Sequence, residues 1–161
     1  MLKLTEKQKR ILAERRIASV ATVSRDGTPH LTSVWFLYEN DTLYLAIQSS
    51  GAKGRNIAGN PKIAVMMDVR VSYKEAGLTA IGEAEIISGD EAKSVVKRLH
   101  EKYLTSDALT DPRVGPVFAS MDDIAVKVTP SRWLSWDMSE LDHHSFGGAI
   151  SANQYLKPID P

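Results

Sequence analysis

The sequence predicts a mainly β (α+β) fold in which six antiparallel strands curl into a barrel, with helices at its flanks. Apolar, β-branched runs alternate with turn residues along most of the chain, and only two long segments show helical spacing. At 161 residues the chain suits a single domain over 1–161, with a core at about 16–136 and a C-terminal tail at 137–161.

The strands follow from period-two patterns and from the turns between them. Asp26 and Gly27 predict a hairpin turn, and in residues 42–48 the two leucines and the isoleucine point to one side. Gly82 lies inside the fifth strand, where a bulge or sharp bend lets a sheet curl and lose its exposed edges. The predicted strands span residues 17–23, 30–39, 42–48, 62–69, 78–88 and 124–136.

Two capping boxes predict the longer helices. Thr5 pairs with Gln8, and Ser88 pairs with Glu91, each just ahead of residues with helical spacing. Residues 105–116 are predicted as a loop, and the tail from Asp137 as a loop packed on a partner or partly disordered, because it shows no periodicity. The predicted long helices span about 6–15 and 89–104.

Composition excludes several classes of function. Twenty basic residues balance twenty acidic ones, so nothing general attracts nucleic acid or an acidic membrane surface. There is no cysteine, which excludes disulfides and thiol catalysis and fits a reducing compartment. The charged N-terminal segment has no apolar run, so we expect a soluble, cytoplasmic protein.

No motif for metal or nucleophilic catalysis stands out in the sequence. The side chains of the adjacent His143 and His144 diverge, and no nucleophile elbow, phosphate-binding loop or dinucleotide fingerprint is present. We therefore predict no metal site and assign no catalytic side chain.

One segment has the character of an anion site. Ser49, Ser50 and Lys53 follow a strand at the start of a short predicted helix, with Ser50 as its N-cap, where free N–H groups and the helix dipole favour a phosphate. Spacing alone does not decide this, because a lysine at such a position is more often solvated. Similarly, Trp35 on its apolar strand is more often a core residue than a ligand contact.

The order of three segments resembles the pyridoxamine-phosphate-oxidase-like superfamily of flavin-binding split β-barrels. The segments are ATVSRDGTPHLTSVWF, SSGAKGRNIAGNPKIAV and, more weakly, PSRWLSW, which together span about three quarters of the chain. The resemblance implies a split barrel that forms a homodimer, with two equivalent FMN sites at the subunit interface.

The resemblance also implies roles for particular residues. The strand residues Thr32, Ser33, Val34 and Trp35 would run along the flavin ring and phosphate. Lys53 would bind the phosphate, and Trp136 would reach the cofactor from the partner subunit. The adjacent Ser50 and Asn56 would support Lys53, and Ser49 and Arg55 complete the predicted cofactor-binding residues.

Two departures from the oxidase itself matter. Ala52 stands where the oxidase has a phosphate-site arginine, so either Arg55 substitutes or the grip is weaker. The Arg-x-His element that recognises the vitamin B6 substrate is also missing after Trp136.

Relatives without that element leave three functions open, because a fold by itself does not fix function. The first is an FMN-dependent oxidoreductase acting on a small organic substrate. The second is a reductase using the deazaflavin coenzyme F-420, for whose acidic tail Arg55, Lys62 and Arg70 could form a channel. A solvated basic face is an equally good interpretation of these three residues. The third is a non-catalytic flavin or haem carrier, with His30 or the adjacent His143 and His144 as the axial ligand.

Overall fold

A computed structural model describes residues 4–121 and 123–158, and within them six strands close into an antiparallel barrel flanked by seven helices. Around the barrel the strand order is β1-β2-β3-β6-β5-β4, so the predicted six-stranded, mainly β fold is confirmed. The strands are β1 (Ile17–Val23), β2 (Pro29–Glu39), β3 (Thr42–Gln48), β4 (Lys62–Val69), β5 (Ala76–Ile87) and β6 (Asp123–Asp137). The helices are α1 (Glu6–Ala13), α2 (Ala52–Gly59), α3 (Gly89–Tyr103), α4 (Ser106–Thr110), α5 (Gly115–Ser120), α6 (Met138–Phe146) and α7 (Ala149–Ala152).

The barrel interior is the main hydrophobic core. Leu43, Leu45 and Ile47 of β3 are buried on one side, as their alternation predicts. A smaller cluster on the outside joins α3 to the barrel through Ala92, Val95 and the buried Ala125. The fully buried large side chains include Leu12, Val20, Phe36, Leu43, Leu45, Val65, Met67, Leu78, Leu99, Val126 and Val128.

The predicted irregularity at Gly82 is confirmed as a register shift between β5 and β6. Ile81 pairs with Arg132 and Gly82 with Pro130, so Ser131 is an extra residue on β6. A Cβ atom on Gly82 would lie 2.0 Å from the carbonyl oxygen of Thr129, which explains the glycine. The bulge keeps β6 continuous through Pro130, where the sequence predicted a break.

Several local predictions have mixed outcomes. The capping box of Thr5 and Gln8 is confirmed, but Ser88 makes no side-chain capping bond, although α3 forms behind it. The tail predicted as a loop or disordered begins instead with α6, because Asp137 accepts bonds from the N–H groups of Ser139 and Glu140. The predicted loop at 105–116 likewise contains α4 and the start of α5.

The helices in the described part of the chain do not have the length and apolar character that a membrane span needs.

Lys102 of α3 is a half-buried amine at the end of the barrel that α1 covers. Its Nζ atom lies 4.1 Å from the ring centroid of Phe36 and donates to the carbonyl oxygen of Leu12 at 3.3 Å. Burial lowers the pKa of this amine to about 8, which means that the fold disfavours its charged form.

Replacing Lys102 with methionine should therefore stabilise the fold at neutral pH. Because the folded pKa is depressed, the cost of charging the amine is fully present below about pH 8. The cost disappears as the pH rises towards the unfolded pKa of about 10.4. We expect a gain of about 1 kcal/mol at pH 7, discounted because the amine is only half-buried, and a smaller gain at pH 10.

Urea unfolding of wild type and Lys102→Met at both pH values measures this difference. Lys97→Met, at an exposed position on the same helix, is the matched control and should show no such gain. If the stability gained by Lys102→Met were larger at pH 10 than at pH 7, burial would not be what depresses the pKa of Lys102.

Candidate functional site

Helix α2 closes one end of the barrel. It begins just after β3 ends, and in an antiparallel barrel that end also holds the C-terminal end of β1 and the N-terminal end of β2. Ile57 of α2 is buried in the barrel core, which fixes the helix in place. Helix α1 precedes β1 and therefore lies at the opposite end.

Gly54 sets how closely α2 approaches the strand that precedes it. A Cβ atom at this position would lie 2.5 Å from the carbonyl oxygen of Ser49 and 3.1 Å from that of Gln48, both of them backbone atoms. Only glycine fits this contact without displacing the helix. Gly54 had no predicted role, although a glycine inside a short helix is a signal of close packing.

Lys53 and Thr32 come together at this end of the barrel, as the predicted site requires. The Nζ atom of Lys53 donates to the Oγ1 atom of Thr32 at 2.9 Å. Thr32 pairs with the buried Val20 of β1, so its side chain faces inward. Among residues 4–121 and 123–158, no carboxylate forms an ion pair with Lys53, so its charge is available to an anion.

Asn56 and Thr22 form a second contact beside the first. The Nδ2 atom of Asn56 donates at 3.0 Å to the Oγ1 atom of Thr22, which is fully buried. Thr22 lies directly opposite His30 in the β1/β2 pairing. The Nδ1 atom of His30 is buried and has no hydrogen-bond partner within 4–121 and 123–158. We call the five residues Thr22, His30, Thr32, Lys53 and Asn56 the α2 cluster.

Thr22 was not predicted as a site residue, and His30 was predicted only as a candidate haem ligand. The hairpin register could have shown that Thr22 and His30 are neighbours. A turn on Asp26-Gly27 pairs residues that are equally far from the turn on the two strands, and Thr22 and His30 are such a pair.

The other predicted strand residues divide between the two faces of β2. Val34 faces inward and packs against the core, whereas Ser33 and Trp35 are on the outside. The Trp35 ring stacks on Tyr103 of α3, with centroids 4.9 Å apart and an interplanar angle of 2°. Contacts within the chain therefore already cover part of the Trp35 ring.

The predicted supporting residues near α2 are arranged differently from expectation. The N-cap is Gly51, with no side-chain capping bond, so the prediction of Ser50 as N-cap was wrong. Arg55 is exposed and bonds to the carbonyl oxygen of Ser50, which places its guanidinium on the outer side of the helix. Ser49 is half-buried at the end of β3, and its carbonyl oxygen faces Gly54.

Trp136 lies near α1, at the opposite end of the barrel from the α2 cluster. Its ring covers Gly77 of β5, where a Cβ atom would be 2.2 Å from the Trp136 Nε1 atom. It lines a small cavity with Lys7 and Gln8 of α1. Within one chain, the structure does not bring Trp136 to Lys53.

Arg55, Lys62 and Arg70 do not form one basic channel within the chain. Lys62 begins β4 at the α2 end, and Arg70 follows β4 at the α1 end, where it pairs with Asp68. Within a single chain, the arrangement of these three residues therefore agrees with a solvated basic face and not with a channel.

A family model for pyridoxamine 5'-phosphate oxidase matches residues 4–137, which is most of the chain. The chain belongs to the pyridoxamine 5'-phosphate oxidase family. The match includes the whole barrel and the α2 cluster, and it stops where α6 begins. No curated protein matches the chain in the sequence comparison.

Solved structures confirm the fold. A conserved hypothetical protein from Mycobacterium tuberculosis has a TM-score of 0.69 at 22% identity, over 99% of this chain and 93% of that one. A protein named F-420 reductase has a TM-score of 0.60 at 24% identity, over 81% and 98%. The haem-storage protein HutZ from Vibrio cholerae has a TM-score of 0.64 at 17% identity, over 84% and 95%. Members of this fold therefore carry names that refer to different cofactors.

Replacing Gly54 with alanine should damage the α2 cluster. The added Cβ would contact the Ser49 carbonyl oxygen at 2.5 Å, so α2 must move away from the barrel. We expect a loss of about 2–4 kcal/mol in the free energy of unfolding, measured by urea denaturation.

Gly59→Ala, in the same helix, is the matched control, because nothing lies within 4 Å of its Cβ position. It should change stability by no more than about 0.5 kcal/mol. Equal effects of the two substitutions would show that the close approach at Gly54 is not important.

Proposed function

We propose that this protein is a flavin-dependent oxidoreductase that binds FMN at the interface of a homodimer and transfers hydride or electrons to a small organic substrate. The observation that carries the proposal is the Lys53 ammonium, which Thr32 holds at 2.9 Å at the end of a barrel of the flavin-binding family. Its lack of a carboxylate partner among the described residues makes it a suitable phosphate ligand.

The α2 cluster fits the phosphate of FMN. Lys53 supplies a full positive charge, and the backbone N–H groups of the first turn of α2 are not used by a side-chain cap. The Nδ1 atom of His30 is a buried polar atom that has no hydrogen-bond partner among the residues that the structure describes. A bound flavin supplies hydride or single-electron transfer, and the residues of this chain bind and orient it and exclude water.

The homodimer is part of the proposal. Leu31 of β2 is 68% exposed, Ile17 of β1 is 50% exposed, and Leu134 of β6 is 46% exposed. These residues lie outside the barrel, and a groove of about 530 Å³ opens on the outer side of β1, β4 and β5. Exposed apolar surface of this kind supports association, and a second copy can bring its Trp136 to a site that one chain leaves without it.

A deazaflavin reductase and a haem-binding protein are the alternatives. The structural likeness to the F-420 reductase and to HutZ is compatible with each, but it concerns the fold alone. Within one chain, the separation of Lys62 from Arg70 leaves the acidic tail of the deazaflavin without a continuous basic channel. We place the protein in the cytoplasm, since a chain without cysteine fits a reducing compartment.

The absorption spectrum of the purified protein, loaded in turn with FMN, coenzyme F-420 and haem, tests the cofactor. Flavin bands in the blue with micromolar or tighter FMN binding support the proposal. An intense Soret band or selective binding of the deazaflavin would replace it with the corresponding alternative.

Replacing Lys53 with alanine should lower the affinity for FMN about tenfold or more, because a charge-assisted hydrogen bond to phosphate contributes about 1.5–3 kcal/mol. Titration of flavin fluorescence measures the dissociation constant. Lys93→Ala, at an exposed position on α3, is the control and should bind FMN as wild type does. Unchanged FMN affinity in Lys53→Ala would remove Lys53 from the site.

A complementation experiment tests whether the site is shared between subunits. Trp136→Ala and Lys53→Ala should each bind FMN weakly, whereas co-expression of the two variants should give heterodimers with one intact site. Random pairing restores about a quarter of all sites. Sedimentation of each sample establishes the dimer, and the absence of any restored high-affinity binding would show that the two residues do not meet across an interface.

A further inference from the structure

The α2 cluster contains one polar atom that the rest of the chain leaves unsatisfied. Three buried side-chain atoms in residues 4–121 and 123–158 lack a hydrogen-bond partner, and only the Nδ1 atom of His30 belongs to the cluster. Burying a polar atom without a partner is costly, so such atoms call for an explanation.

We propose that His30 is a second phosphate-binding residue, whose Nδ1–H group donates to the same anion that Lys53 binds. This inference rests on the proposed function, since it assigns the anion to the phosphate of the flavin.

The register of the β1/β2 hairpin places His30 between the two contacts of the cluster. His30 and Thr32 are two residues apart on β2 and therefore share a face, and Thr22 lies directly opposite His30 on β1. Lys53 bonds the hydroxyl of Thr32, and Asn56 bonds that of Thr22. The His30 ring therefore lies on the same inward face as both hydroxyls, and α2 covers that end.

The chemistry of the surroundings favours an anion over a cation as the partner of His30. The ammonium of Lys53 repels cations, and the described residues contain no group of three or more histidine, aspartate or glutamate side chains that could hold a metal ion. Arg55, the other basic residue of α2, is bonded to the Ser50 carbonyl oxygen on the outer side. Of the two basic side chains of α2, only that of Lys53 points into the barrel. A phosphate has more acceptor oxygens than one ammonium can satisfy, so it leaves an acceptor for the His30 donor.

The imidazole ring of His30 can carry its proton on either nitrogen, so Nδ1 can serve as a donor to an anion. The neutral ring carries one N–H group, and the choice of nitrogen follows the partner that is present. A phosphate beside Lys53 would select the tautomer protonated at Nδ1.

Comparing FMN with riboflavin isolates the phosphate contact, because riboflavin has the same ring system without the phosphate. The variants are His30→Leu, which removes the donor, and His30→Asn, whose side-chain amide places an N–H donor near the position of Nδ1. We expect His30→Leu to lower the FMN affinity about tenfold while riboflavin affinity stays within twofold, and His30→Asn to retain most of the FMN affinity. His143→Leu, at an exposed position on α6, is the control for loss of a histidine.

An equal loss of FMN and riboflavin affinity in His30→Leu would overturn the inference, because a purely structural residue would affect both ligands. An equal loss of FMN affinity in His30→Leu and His30→Asn would also overturn it, because the amide donor of asparagine should replace the imidazole donor. A ratio of the two affinities unchanged by His30→Leu would do the same. Failure of the proposed function gives a different result, namely that wild type binds no FMN.

If wild type binds no FMN, the binding of inorganic phosphate tests the inference instead. Phosphate should raise the melting temperature of wild type more than that of His30→Leu, and equal shifts would overturn the role of His30 in binding an anion.

Discussion

The contact between Gly54 and the Ser49 carbonyl oxygen determines the geometry of the candidate site. It lets α2 lie against the end of the strand that leads into it, while Ile57 anchors the helix in the core. With the backbone fixed in this way, Lys53 and Asn56 reach Thr32 and Thr22 on two adjacent strands. The positions of the polar groups therefore depend on the packing of Ile57 and on the lack of a side chain at Gly54.

The parts of the fold that depend on local chemistry could be predicted from the sequence. The period-two pattern of β3, the turn at Asp26-Gly27 and the bulge at Gly82 each leave a local signal, and all three are present. The helices after Asp137 had a local signal as well, because Asp137 caps α6 and Gly147 ends it at a φ of 61°. Their lack of apolar periodicity concealed them, since short surface helices bury little.

The site was harder to predict because it depends on which face of a strand each residue occupies. The family resemblance suggested four consecutive residues on β2, but consecutive residues of a strand point to opposite faces. Thr32 and Val34 therefore face inward, while Ser33 and Trp35 face outward, the latter against Tyr103. The surroundings of His30 are formed by β1, β2 and α2 together. A local sequence pattern describes one strand or one helix at a time, so it does not show how these three elements pack.

The balanced charge of the chain bears on the anion binding that we propose. Twenty basic and twenty acidic residues give no net attraction at a distance, so selection must occur at the site itself. At the site, Lys53 is half-buried and no carboxylate of the described residues neutralises it, and such a partly desolvated charge is screened less by salt than a surface charge. Binding of this kind depends on the positions of a few donors, and those positions come from the packing of α2. An anion with oxygens placed to meet these donors is therefore favoured over one that only carries the same charge.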